Sequence, residues 1–169
     1  MDADDGRTPG VPVRCVMPVG QLFGDDEEDT GLLRSMAVQA EGYLLSFPWC
    51  ESVRQRYFGA GVGNVVAVFL FEIVSSRADV DEWLWVIVGD LPSAYLVTDI
   101  CKTPSQALEG YIREMRKWAV LANKGQASDQ VIPTNVPPTP YWSKELASRL
   151  EFLQDNIVSR FRDEEVKWT

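Results

Sequence analysis

Residues 65–74 read VVAVFLFEIV and residues 82–88 read EWLWVIV; the turn GDLP (89–92) follows, and then SAYLVTD (93–99). This stretch predicts three consecutive strands, the last two joined by a tight turn at GDLP. The first two strands are apolar on both faces. In the second, Trp83, Trp85 and Ile87 point one way while Leu84, Val86 and Val88 point the other. A strand apolar on both sides belongs inside a sheet that is covered on both faces.

Helices are therefore expected to supply that cover. Leu32, Leu33, Met36, Ala40, Tyr43 and Leu44 recur at helical spacing, which predicts a helix from about Thr30 to Ser46 with Asp29 or Thr30 as its N-cap. Phe47 precedes Pro48 and is biased away from helical dihedrals, so the helix ends there. Pro48 suits the first turn of a second, short helix over residues 49–57, stopped by Gly59, Gly61 and Gly63. The run GAGVG has the composition of a phosphate loop. Such loops follow a strand and open a helix, whereas these glycines follow a helix and open a strand, which argues against nucleotide binding. The polar connection SSRADVD (75–81) fits an antiparallel strand pair.

Thr103-Pro104-Ser105-Gln106 is a helix start with an N-cap threonine, a proline at the first position and a glutamine placed for a capping box. Leu108, Tyr111, Ile112, Met115, Trp118, Ala119 and Ala122 form its apolar face, and Gly125 stops it. The proline-rich run VIPTNVPPTP (131–140) reads as a stiff, extended connector. Thr139-Pro140 then starts a last helix from about Tyr141 to Arg162, with Leu146, Leu150, Leu153, Ile157 and Phe161 on one face. The expectation is an α+β fold: a single domain over residues 29–169, with an antiparallel sheet of at least three strands and helices packed on it. Residues 1–28 read as an acidic, largely irregular N-terminal arm, docked in part by residues 11–19 and by Leu22-Phe23 and dispensable for folding.

The chain of 169 residues is long enough for one full core, and 46% of it is apolar. The formal net charge is −9, and eight of the acids fall within residues 1–30 against only Arg7 and Arg14. A surface of this sign repels phosphate backbones and anionic lipid, which excludes nucleic acid and a membrane from the expected partners. The three cysteines, Cys15, Cys50 and Cys101, are odd in number and widely spaced, as neither a disulfide framework nor a thiolate zinc site would be. With no basic and apolar leader pattern in MDADD, the expected location is cytoplasmic. There is no histidine. That removes Ser-His and Cys-His nucleophilic sites, the commonest general base near neutral pH and most transition-metal sites. No cofactor motif and no metal-ligand spacing occurs.

Three acidic features remain as candidates. Glu72 interrupts an apolar strand, where it needs either a function or a partner such as Arg113 or Arg116. Asp90 suits its turn, because its side chain can bond the backbone two residues on. With Tyr95, these carboxylates could form a polar cluster beside Trp83 and Trp85, able to bind a cation or run acid-base chemistry. The run Asp25, Asp26, Glu27, Glu28 and Asp29 lacks the alternating spacing and glycine of a calcium loop, and its last acids favour a helix N-terminus. Cys50, placed near a helix start, reads as a buried structural thiol.

The block WLWVIVGDLPSAY, Trp83 to Tyr95, with the following Thr103-Pro104 helix and its Ala107, resembles a bacterial family of unknown function. Members have a tryptophan-rich strand, GDLP, two residues and a tyrosine, then a helix carrying alanine near its start. The resemblance covers residues 83–119 and implies a bacterial origin and a shared structural corner at GDLP-x-x-Y; it carries no catalytic residues. Two functions are compatible with the whole sequence. One is a small acidic protein that acts by binding another protein, with an immunity or antitoxin-type inhibitor of a basic toxin as the concrete case. The other is an enzyme or a small-ligand or cation-binding protein built on Glu72, Asp90 and Tyr95.

Overall fold

The structure, a computed structural model, describes residues 10–126 and 136–167. Five antiparallel strands form one sheet in chain order: β1 (Met17–Pro18), β2 (Cys50–Val62), β3 (Val66–Ser75), β4 (Trp83–Gly89) and β5 (Ala94–Val97). The helices are α1 (Glu27–Leu45), α2 (Pro104–Asn123), and a rod in which α3 (Pro140–Phe152) and α4 (Val158–Val166) are joined by a π-helical turn at Leu153–Ile157. Among the described residues no helix is long and apolar enough to cross a membrane.

The apolar run that opens the argument is the centre of this α+β domain. Val66 to Phe71, Ile73 and Leu84 to Val88 are all buried. The alternation in β4 sorts as its pleat requires. Trp85 and Ile87 join Val66, Val68 and Leu70 under α2 and the α3–α4 rod, with Trp83 packed at the margin. Leu84, Val86 and Val88 join Phe69, Phe71 and Ile73 under α1. The indole of Trp85 has one polar atom to satisfy, and its Nε1–H donates to Cys101 O at 2.8 Å.

Helix α2 begins where its threonine and proline place it, with Thr103 Oγ1 accepting from Gln106 N at 3.3 Å and Gln106 Oε1 reaching back to Lys102 N at 2.7 Å. Thr139 caps α3 in the same way, at 3.4 Å from Trp142 N. Leu146, Leu150, Leu153, Ile157 and Phe161 all reach the core. Most of the proline-rich connector lies outside the described residues. Helix α1 starts a little earlier than its stripe predicts, because Asp26 rather than Asp29 or Thr30 is the cap and accepts from Asp29 N at 2.8 Å.

One expectation is overturned. Residues 49–57 do not form a helix; Trp49 ends a turn and Cys50 begins β2, which runs through Gly59 and Gly61 to Val62. Glycines that seemed to stop a helix instead thin a strand. A Cβ on Gly59 would lie 2.8 Å from Pro104 Cγ, and one on Gly61 2.7 Å from Leu33 Cδ2, so their bareness lets α2 and α1 approach the sheet. The described part of the arm docks on the sheet through its apolar groups. Val13, Val16 and Leu22 are almost fully buried, and Met17 and Pro18 pair with Phe58 and Tyr57 as the edge strand β1.

Candidate functional site

The sheet keeps Glu72, Asp90 and Tyr95 apart. Glu72 faces Trp83 across the β3–β4 ladder, while Gly89 lies opposite Val66 at the other end. Six residues of strand at roughly 3.3 Å each put Glu72 and Asp90 about 20 Å apart. Tyr95 stands opposite Val86 and packs on the α1 side, whereas Glu72 follows the parity of Leu70 on the other face. No shared cluster exists for these three.

Each has local partners instead. Glu72 Oε1 accepts from Gln55 Nε2 at 3.3 Å, and Gln55 accepts in turn from the Tyr57 hydroxyl, so the partner of Glu72 is neither Arg113 nor Arg116. Burial, and then the Glu72 charge, push the Tyr57 phenol up from its ordinary pKa. Tyr95 lies among Tyr43, Phe47 and Trp49, with ring centroids 5.4 Å from the last two. Burial, and then Tyr95, raise the Tyr43 phenol strongly.

The GDLP corner has a structural cause at every residue that matters. Gly89 has φ of +154°, and a Cβ there would sit 2.2 Å from Val65 O. Asp90 N donates to Val65 O at 3.1 Å, and the Tyr111 hydroxyl donates to Pro92 O at 2.6 Å. The Asp90 carboxylate remains outside and meets Arg149 Nε at 3.4 Å.

The acidic run is largely structural. Asp26 caps α1. Asp29 accepts from Gly63 N at 2.7 Å and from Asp25 N at 2.9 Å, pinning the helix start to the β2–β3 turn. Asp25 Oδ2 meets Arg160 Nη2 at 2.8 Å. Only Glu27 and Glu28 stand exposed in the first turn without such duties, where their charge favours the positive end of the helix dipole. Among the described residues no group of three or more metal-ligating side chains could hold an ion. Cys15, Cys50 and Cys101 are all buried, and burial raises each thiol above its ordinary pKa, opposite to what a nucleophile needs. Cys50 opens a strand, not a helix.

The surface beside Asp90 was not foreseen. Arg149 lies between two cavities of about 190 and 280 Å³, both of which it lines together with Asp90 and Leu91. Trp142 lines the first and Phe152 the second. Tyr141, Trp142 and Phe152 are 63%, 37% and 50% exposed, and the first two rings stack edge to face at 5.1 Å. Trp142, Glu145, Arg149 and Phe152 recur at helical spacing on α3, away from the stripe of Leu146 and Leu150. A tryptophan, an arginine and a phenylalanine off the core stripe of an amphipathic helix were the available signal.

The chain matches no family model, no curated protein and no solved structure among those compared.

Proposed function

We propose that this chain is an acidic protein-binding module, and that it engages a basic protein partner through the face formed by α3 and the GDLP corner. An immunity or antitoxin-type inhibitor of a basic toxin is the concrete case. The observation that carries the proposal is the placing of exposed Trp142 and Phe152 beside Arg149, with a cavity on each side of the arginine and Tyr141 against the Trp142 ring. Tryptophan, tyrosine and arginine are the residues that dominate interface energetics, and they do so where a partner's side chain can fill an adjacent recess. The net charge of −9 supplies the other half. It steers an oppositely charged partner and raises its association rate. The separation of Glu72, Asp90 and Tyr95 takes away the basis of the enzyme or cation-binding alternative.

The test is capture of the basic product of the adjacent open reading frame, followed by stopped-flow kinetics at several salt concentrations. The association rate is expected to fall steeply with salt, because exposed charges more than about 8 Å apart are largely screened at 0.15 M. Trp142→Ala is expected to weaken the complex by roughly 30-fold, about 2 kcal/mol. Unchanged affinity in a folded Trp142→Ala variant would overturn the assignment of this face. Neutralising Glu27 and Glu28 tests steering with the fold preserved, which neutralising the full run 25–29 would not do.

A further inference from the structure

We infer that the cleft along Gly59–Gly61 takes up an extended, basic peptide segment, which adds to the sheet at the end of β2 that no strand covers among the described residues. Strand β2 has 13 residues, yet β1 pairs only with Tyr57 and Phe58. Its remaining edge has two unlike halves. The first, Cys50–Arg56, is guarded. Arg54 and Arg56 are exposed along it, and edge charges of this kind discourage strand addition. Register shifts fall in both halves, at Cys50/Ser52, Val53/Gln55 and Phe58/Ala60.

Along the second half no strand pairs with β2 among the described residues. Continued antiparallel pairing would carry β1 past Gly59 and Ala60, but the chain leaves the edge at Cys15. That residue is left-handed, with φ of +65°, and Arg14 N donates to Lys102 O at 2.8 Å instead of to β2. The space so vacated is a cleft of about 440 Å³, within the range of small-ligand sites. Gly59, Ala60 and Gly61 are on its lining, so this end of the strand borders the cleft. Met17, Phe23, Phe58 and Phe161 give it apolar walls.

The charge of the lining selects the occupant. Asp25, Asp29, Glu164 and Glu165 outnumber Arg160 and Lys167. Asp25 and Glu164 hold Arg160 at 2.8 and 3.3 Å, and Asp29 and Glu165 accept from the neutral groups Gly63 N and Ser105 N, so the lining as a whole stays negative toward a further cation. Apolar walls suit the alkyl stem of a lysine or arginine whose charged end meets those carboxylates. The cleft is lined by none of the aromatic residues of the α3 face, so its occupancy does not depend on that face being an interface.

The experiment is amide nitrogen–proton correlation spectroscopy of the intact chain, titrated with two end-blocked peptides, Val-Lys-Val-Lys-Val and Val-Glu-Val-Glu-Val. The lysine peptide is expected to shift the amides of Gly59, Gly61 and Val62 saturably, and the glutamate peptide to leave them in place. The double variant Asp25→Asn, Glu164→Gln is expected to weaken the lysine peptide about tenfold, and Trp142→Ala to leave it unchanged. Unmoved Gly59–Val62 amides, equal shifts from both peptides, or the same shifts from free lysine would each overturn strand addition by a basic segment. Loss of the shifts in Trp142→Ala would place the binding on the α3 face.

Discussion

Strands β4 and β2 lie one strand apart and obey different rules. In β4 the residues from Leu84 to Val88 are buried without exception, and both faces meet helices. In β2 the residues from Glu51 to Arg56 are exposed or half-exposed, and three register shifts interrupt the pairing. A doubly covered strand announces itself by composition, since every position is apolar whatever the register. An edge strand with bulges loses its period of two, and polar residues fill what should be its alternating face. The stability of the sheet should therefore be concentrated in its centre and in whatever covers the edge, with little along the exposed flank.

Removing the cover is expected to be the most damaging change. Deleting residues 1–20 takes away buried Val11, Val13, Cys15 and Val16 together with β1. At roughly 1.5–3 kcal/mol for each fully buried valine, the loss in a chemical-denaturation experiment is expected to exceed about 4 kcal/mol. A melting temperature that stays put would show that β2 needs no partner. Next comes the centre itself. Trp85→Ala opens a cavity under α2 and orphans Cys101 O, and is expected to cost about 3–5 kcal/mol. A loss below about 1 kcal/mol would remove the distinction between centre and edge.

Smaller effects probe β2 directly. Gly61→Ala drives a methyl group against Leu33 Cδ2 at 2.7 Å and Ala67 Cβ at 2.9 Å, and is expected to cost about 1–3 kcal/mol by overpacking. A neutral result would mean that α1 can slide. Arg54→Ala, on the guarded flank, is expected to change stability by less than about 0.5 kcal/mol. Its informative readout is solubility, because that arginine is one of the charges that keep the edge from pairing with other chains.

The central strands, the two threonine-proline helix starts and the helical stripes were legible because each is a local signal. Period, cap and breaker residues fall within a few positions of one another. Strand β2 was not, because Pro48 and three spaced glycines look like helix punctuation when the bulge at Phe58/Ala60 and the approach of Pro104 and Leu33 are unknown. The candidate site failed for a related reason. Glu72, Asp90 and Tyr95 are close in sequence, but whether they meet depends on register and on which face each residue takes. One β3–β4 ladder sends the two carboxylates to opposite ends, and pleat parity sends the phenol to the other side. Arg149 and Trp142 gain their place only through a helix that packs beside the GDLP corner from some fifty residues away, as the Asp90–Arg149 pair attests.

The π-helical turn at Leu153–Ile157 makes the last rod behave as two helices with a phase offset between them. Each residue of a helix advances the chain by about 100°, and a wide turn withholds part of that rotation from everything downstream. On either side of the turn Leu150 and Phe161 both face the sheet, while Arg160 meets Asp25 and Glu165 receives Ser105 N at 2.6 Å. Excising one residue would let the turn close as ordinary α-helix, because four residues at about 100° each rotate the chain nearly as far as the five residues of the wider turn. Helix α4 would then keep its carboxylates and guanidinium beside their present neighbours, since the fifth residue is slack that the turn takes up before it can reach them.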